Sequence, residues 1–171
     1  CLKGGIFYAD QVTTVSPTYA QEIQTPQFGE NLDGVLRFNS YKLKGILNGI
    51  DYEVFDPETD NVIPAHFSTK NLKGKAVNKT TLQERVGLPV NEKTALMSMV
   101  SRLTTQKGCN LLRDKIDELM HRNIQVLILG TGEKEYEDSF NYFTWKYPEK
   151  FKMVVDFDVA LAQHIYAGSD L

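Results

Sequence analysis

The residues with the clearest chemical potential lie in one short segment, Ser101-Arg102-Leu103-Thr104-Thr105-Gln106-Lys107-Gly108. Arg102 offers a planar fork of donors and Lys107 a compact point charge, and both are good ligands for phosphate oxygens. The segment follows an apolar run with strand character and opens a predicted helix. In open α/β sheets, ligands bind in the crevice beyond the carboxyl ends of the strands. A helix N-terminus at that place adds free N–H groups and the positive end of a dipole. The expected chemistry is the holding of a pyrophosphate and the neutralisation of charge on it as it leaves. From spacing alone, a plain loop carrying two solvated cations is the alternative.

Other candidates are weaker. Gly130-Thr131-Gly132 follows a second apolar run, but Glu135 stands where the dinucleotide fingerprint wants Gly or Ala. It reads as a strand-to-helix turn that faces the same crevice, and not as a site for NAD. A phosphate loop of the Gly-Lys-Ser/Thr type is missing, because Lys107-Gly108 has the reverse order. His66, His121 and His164 lack ligand spacing, as do Cys1 and Cys109, so no metal and no cofactor are expected. The carboxylates Glu133, Glu135, Glu137 and Asp138 read as the solvated face of a helix near its N-terminus. Phe157 stands alone on a loop, either as a partly buried anchor or as a platform for a nucleobase.

The elements that must position these residues alternate regularly from residue 94 onward. Thr94 to Ser101, Gln125 to Leu129 and Phe151 to Val155 are apolar runs of strand length. Helices are predicted over about Lys107 to Arg122, Lys134 to Lys146 (ended by Pro148) and Val159 to Ala167. Buried runs alternating with helices predict βαβ units, a parallel sheet and right-handed crossovers, as in the first half of a doubly wound domain. Upstream, Gln11 to Val15 reads as a short strand, and Ser16-Pro17 supplies an N-cap hydroxyl with Pro at the first helical position. Gly45 to Ile50 is a further apolar run broken by a turn, and Asp51 to about Ser68 reads as an irregular connection. A domain boundary is placed near Asn48. Cys1 to Gly5 carries no start signal, and Ser169-Asp170-Leu171 stops where a strand is expected, so both ends read as cuts through a larger protein.

Composition narrows the class. The chain has 171 residues, of which 42% are apolar and 24% charged, with a net charge of −3. Those values fit one ordinary globular domain, and the lack of a basic stripe argues against nucleic acid as a partner. The apolar runs are too short to cross a bilayer, and the N-terminus has no secretory pattern. Asn78-Lys79-Thr80 is formally a glycosylation sequon, read here as an ordinary surface turn.

Taken together, the blocks resemble the bacterial glycogen synthases and plant starch synthases over nearly the whole chain. The matching blocks are Lys3-Gly4-Gly5 to Asp10, Thr13 to Ala20, and Glu22 to Pro26 with Phe28-Gly29. Next come Leu32 to Leu36, Gly45 to Tyr52, and Ser101 to Thr104 with Gln106-Lys107-Gly108. The last is Ile165 to Gly168 with Asp170. The resemblance implies an α/β fold of the GT-B type, with two Rossmann-like domains and an active site in the cleft between them. Residues 1–47 would end the N-terminal, acceptor-side domain, and residues 48–171 would begin the C-terminal, nucleotide-sugar-binding domain. It implies transfer of glucose from ADP-glucose to the non-reducing end of an α-1,4-glucan with retention, without a metal, in bacterial cytoplasm or plastid stroma.

In that family scheme Arg102 and Lys107 match the catalytic pair on the donor phosphates, and Asn48 matches an asparagine near the transferred glucose. Gly130 and Thr131 would face the donor, and Phe157 takes the place of a Tyr that stacks on adenine. Asp156 departs from the family's usual Gly. The family's Lys-Thr-Gly-Gly-type loop would lie upstream of Cys1 and its Glu-Pro-Cys-Gly-type loop downstream of Leu171. The chain alone is therefore expected to be inactive, and its partial sheet to favour self-association. Two alternatives remain: a non-catalytic nucleotide-binding module, and a related enzyme using another nucleotide sugar. The long blocks in the first 50 residues weigh against both.

Overall fold

The computed structural model describes residues 2–171. Cys1, considered above with Cys109, lies outside the described residues. The chain forms two compact units, Cys1–Asp51 and Tyr52–Leu171.

In the first unit, β1 (Val12–Thr14) and β2 (Leu43–Gly45) pair in parallel. Around them lie α1 (Leu2–Tyr8), α2 (Pro17–Glu22) and α3 (Asp33–Phe38). The Ser16 hydroxyl accepts the Tyr19 N–H at 2.9 Å, so the predicted cap is made. The sequence reading missed α1, whose stabilising contact comes from far along the chain. Buried Lys42 donates to the carbonyls of Phe7 and Ala9, both at 2.8 Å, at the negative end of that helix. The run Gly45 to Ile50 is a strand only to Gly45. Ile46, Leu47 and Ile50 are exposed and irregular, because no third strand pairs with them among the described residues.

The second unit holds a three-stranded parallel sheet in the order β3 (Ala95–Val100), β4 (Ile124–Leu129), β5 (Phe151–Val154). Side chains alternate across it as the pleat requires. Val126 and Ile128 face a core with Leu103, Ile116, Tyr136, Phe140 and Phe151, under α5 (Cys109–Arg113), α6 (Ile116–Met120) and α7 (Lys134–Lys146). Leu127 and Leu129 face the opposite core with Leu82, Leu96, Leu161 and Ile165, under α4 (Lys73–Val86) and α8 (Val159–Gly168). Helices thus cover both faces. Beyond α8 the backbone reaches the far edge of β3, where Asp170 N–H donates to Leu96 O at 2.9 Å and Ser98 N–H to Leu171 O at 3.0 Å. The chain order along the sheet therefore reverses at β3, and such a reversal is where α/β sheets open a ligand crevice.

Two expectations need correction. The single helix predicted over Lys107 to Arg122 is a 3-10 turn (Thr105–Lys107) followed by the separate α5 and α6. Gly108, at φ 77°, ends the turn in the left-handed region, and Asp114 and Lys115 separate the helices. Cys109, Ile116 and Met120 still meet one core, which is why the periodicity reads as continuous. The sequon is not a surface turn. Asn78 lies inside α4, 1% exposed, and its amide exchanges two hydrogen bonds with the Ala65 backbone at 2.8 and 3.0 Å. α4 itself escaped prediction because its inner face mixes Asn78, Lys79 and Gln83 with Leu82 and Val86, leaving no clear apolar stripe.

Candidate nucleotide site

A cavity of about 340 Å³ opens beyond the carboxyl ends of the three strands of the second unit. Its size is at the lower end of the usual small-molecule range. Val100 and Arg102 line it from the end of β3, Leu129, Gly130 and Thr131 from the end of β4, and Asp156 and Phe157 from the loop after β5.

Local chemistry explains how these loops come together. Leu103 donates its N–H to Thr131 O at 3.0 Å, and Glu133 N–H donates to Leu103 O at 2.8 Å, so the loops beyond β3 and β4 continue side by side. A Cβ on Gly130 would stand 1.9 Å from Ser101 O, and one on Gly132 would stand 2.2 Å from Leu103 O. Glycine is required at both because the neighbouring backbone occupies the side-chain space. Glu137 accepts the Gly132 N–H at 2.9 Å, which ties the turn to the start of α7. Glu135 pairs with Arg113 and Asp138 with Lys134, on the exposed face expected for these acids.

Four of the sequence-selected residues, Arg102, Gly130, Thr131 and Phe157, meet around this one cavity. Arg102 is exposed, and its guanidinium has no ion pair or hydrogen bond among the described residues. Lys107 is exposed and equally unpaired, but it sits in the 3-10 turn outside the cavity wall. The helix expected to aim its dipole at this place, α5, has only five residues, and Arg102 is the cation that lines the cavity among the described residues. Phe157 is 87% exposed and lines the cavity. Asn48 belongs to the other unit, on the exposed irregular stretch that follows β2.

The sequence reading missed Phe55 and one face of α8. Val159, Ala162 and Tyr166 repeat at helical spacing and line the cavity, while Leu161 and Ile165 face the core. The signal was available as a second apolar stripe on one helix. Behind that helix, Asp158 caps α8 through the Leu161 N–H at 2.8 Å. Among the described residues no cluster of His, Cys, Asp and Glu forms that could hold a metal ion. Cys109 is buried, and burial pushes its thiol pKa up, keeping it protonated. No described helix is long and apolar enough to cross a membrane.

The comparisons with known proteins agree with this architecture. The model of the starch synthase catalytic domain matches residues 1–38. The glycogen synthase of Lactococcus lactis is 52% identical over 169 residues, which is 99% of this chain and 35% of that protein. The glycogen synthase of Thermotoga petrophila is 52% identical over 170 residues, again 99% of this chain and 35% of its own length. Among solved structures, the catalytic domain of starch synthase IV from Arabidopsis thaliana, bound to ADP and acarbose, superimposes with a TM-score of 0.92. It is 37% identical, over 99% of this chain and 35% of that one. Anabaena HepE, in complex with UDP and glucose, matches with a TM-score of 0.55 at 14% identity, over 96% of this chain and 37% of that one, a likeness of fold alone. The chain thus spans about a third of the length of the relatives it matches. With near-complete coverage of this chain at this identity and a parallel α/β architecture of the GT-B type, the chain is similar throughout to about a third of the length of the glycogen and starch synthases.

Proposed function

We propose that residues 52–171 bind the nucleotide sugar of a retaining glucosyltransferase that moves glucose from ADP-glucose to the non-reducing end of an α-1,4-glucan. The observation that carries this reading is the meeting of Arg102, Gly130, Thr131 and Phe157 around one cavity at the carboxyl ends of parallel strands. Support comes from the starch synthase IV structure, which holds ADP and acarbose on the matching fold.

In this reading the adenine stacks on the exposed Phe157 ring, and the diphosphate lies against Arg102, with Lys107 adding charge from the same loop. Gly130 and Thr131 form the floor between them. As the glycosidic bond breaks, negative charge grows on the departing ADP, and the unpaired cations stabilise it more in the transition state than in the ground state. Asn48 is assigned to the transferred glucose. The setting is the bacterial cytoplasm or the plastid stroma.

Calorimetric titration of ADP into the chain tests the reading. Wild-type chain is expected to bind, and Arg102→Ala to weaken binding by about 10- to 100-fold, the worth of a charge-assisted hydrogen bond. Arg102→Lys is expected to recover only part of this, because an ammonium does not copy the bidentate fork. Unchanged affinity in Arg102→Ala would overturn the assignment.

A further inference from the structure

Asp156 is the residue of the cavity wall whose chemistry the nucleotide reading leaves unused. It precedes Phe157 on the loop after β5, and both residues line the wall. Its Oδ1 accepts the Phe157 N–H at 2.7 Å, which orients the carboxylate. Oδ2 has no partner among the described residues. The other acid of the wall, Asp158, is committed at both oxygens. Oδ1 caps α8, and Oδ2 lies 3.4 Å from Arg85 Nη2. Arg102 is the only cation in the wall among the described residues. The cavity is thus divided, with an unpaired cation at the end of β3 and, beyond β5, a carboxylate with one oxygen left without a partner among the described residues.

That division sets what each end accepts. A diphosphate belongs at Arg102, and a flat base belongs on the exposed Phe157 ring. The nucleoside then lies beside Asp156. An ionised carboxylate accepts hydrogen bonds and donates none. It favours an O–H or N–H at that point, and repels a negative substituent placed against it.

We propose that Asp156 is a specificity-determining residue, which accepts a hydrogen bond from a donor on the nucleoside and excludes nucleotides carrying a further phosphate on the ribose. The inference rests on the nucleoside-diphosphate reading of the cavity. The donor is either a ribose hydroxyl or the amino group of the base, and the two give different results below.

The test is calorimetric titration of the full chain with ADP, 2′-phosphorylated ADP, 2′-deoxy-ADP, 3′-deoxy-ADP and inosine diphosphate. Wild type is compared with Asp156→Asn, which removes the charge and keeps the shape, and with Asp156→Ala. Asp156 is exposed, so both variants are expected to fold, and circular dichroism checks this. Wild type is expected to bind 2′-phosphorylated ADP about tenfold or more weakly than ADP, and Asp156→Asn to narrow that gap about tenfold. Asp156→Ala is expected to weaken ADP about tenfold or more. A ribose hydroxyl as donor predicts that one of the deoxy compounds loses as much on wild type and nothing further on Asp156→Ala. A base amino donor predicts that behaviour for inosine diphosphate instead. The same ligand ratios in wild type and both variants, with ADP still bound and Arg102→Ala defective, would overturn this inference alone. Failure of wild type to bind ADP would overturn the reading of the cavity and this inference with it.

Discussion

At the N-terminal ends of β3 and β4, Gln83, Gln125 and Thr94 are buried and paired, whereas at the carboxyl ends Arg102 and Lys107 are exposed and their side chains are unpaired among the described residues. Gln83 and Gln125 are 0% and 3% exposed, and their amides bond to each other at 2.7 Å. Gln125 also donates to Pro89 O at 2.8 Å, and Gln83 exchanges two hydrogen bonds with the backbone of Asn91. Thr94 donates to Asn123 at 3.0 Å, and Asn123 donates back to Lys93 O. The loops that enter the sheet are thereby fixed to one another. At the other end, the side chains of Arg102 and Lys107 make no hydrogen bond or ion pair among the described residues. A buried polar group without its partner is expensive, so the first set must be satisfied internally. The second set is solvated, and exposed charges of this kind contribute little to folding.

This contrast predicts the largest effect on stability at the closed end. Gln125→Ala and Gln83→Ala are each expected to lower the free energy of unfolding by about 1–3 kcal/mol, since each leaves buried partners unpaired. Arg102→Ala and Lys107→Ala are expected to stay within about 0.5 kcal/mol of wild type. Urea denaturation measures both, and a large loss at Arg102 would break the comparison.

A smaller effect concerns pH and sharpens the same distinction. His164 on α8 has its Nδ1 buried without a hydrogen-bond partner among the described residues. Burial first, and the positive charge of Arg85 second, hold its pKa below the usual histidine value of about 6.5. The unfolded chain takes up the proton at that value, while the folded chain resists it. Stability is therefore full above about pH 6.5 and falls as the pH drops below it. His164→Gln is expected to flatten the decline between about pH 6.5 and 5.5 in urea midpoints. An equally steep decline in the variant would assign the acid sensitivity to other groups. Asp170 is one of these. Burial works against its ionisation, but hydrogen bonds from Lys79 and the Leu96 N–H outweigh burial and keep its pKa low. Its contribution is lost only further down, as the pH falls through the aspartate range.

Much of this architecture could be read from the sequence, for reasons that differ by residue. The strands of the second unit and α7 were legible because Val126 to Leu129 and Tyr136 to Phe140 bury side chains at the spacing of their elements. Gly130 and Gly132 could be placed at a turn, but the reason for glycine, the closeness of Ser101 and Leu103 backbone, is a contact between distant segments. The same limit hid α4, whose inner polar residues are tolerable only because Ala65, Glu92, Asn91 and Gln125 supply their partners. It also hid α1, held by Lys42. At the candidate site, types and spacing pointed to Arg102 and Phe157, whereas Phe55 joins the wall through tertiary packing.

The open end of the sheet, and not the closed end, is proposed to take a nucleoside diphosphate. Amide chemical-shift mapping of the chain during titration with ADP tests it most directly. Shifts are expected to concentrate in residues 101–107, in Gly130 and Thr131, and in residues 156–159, while residues 89–94 and 123–125 stay unmoved. Shifts centred on the closed end, or no saturable shifts at the open end, would contradict it.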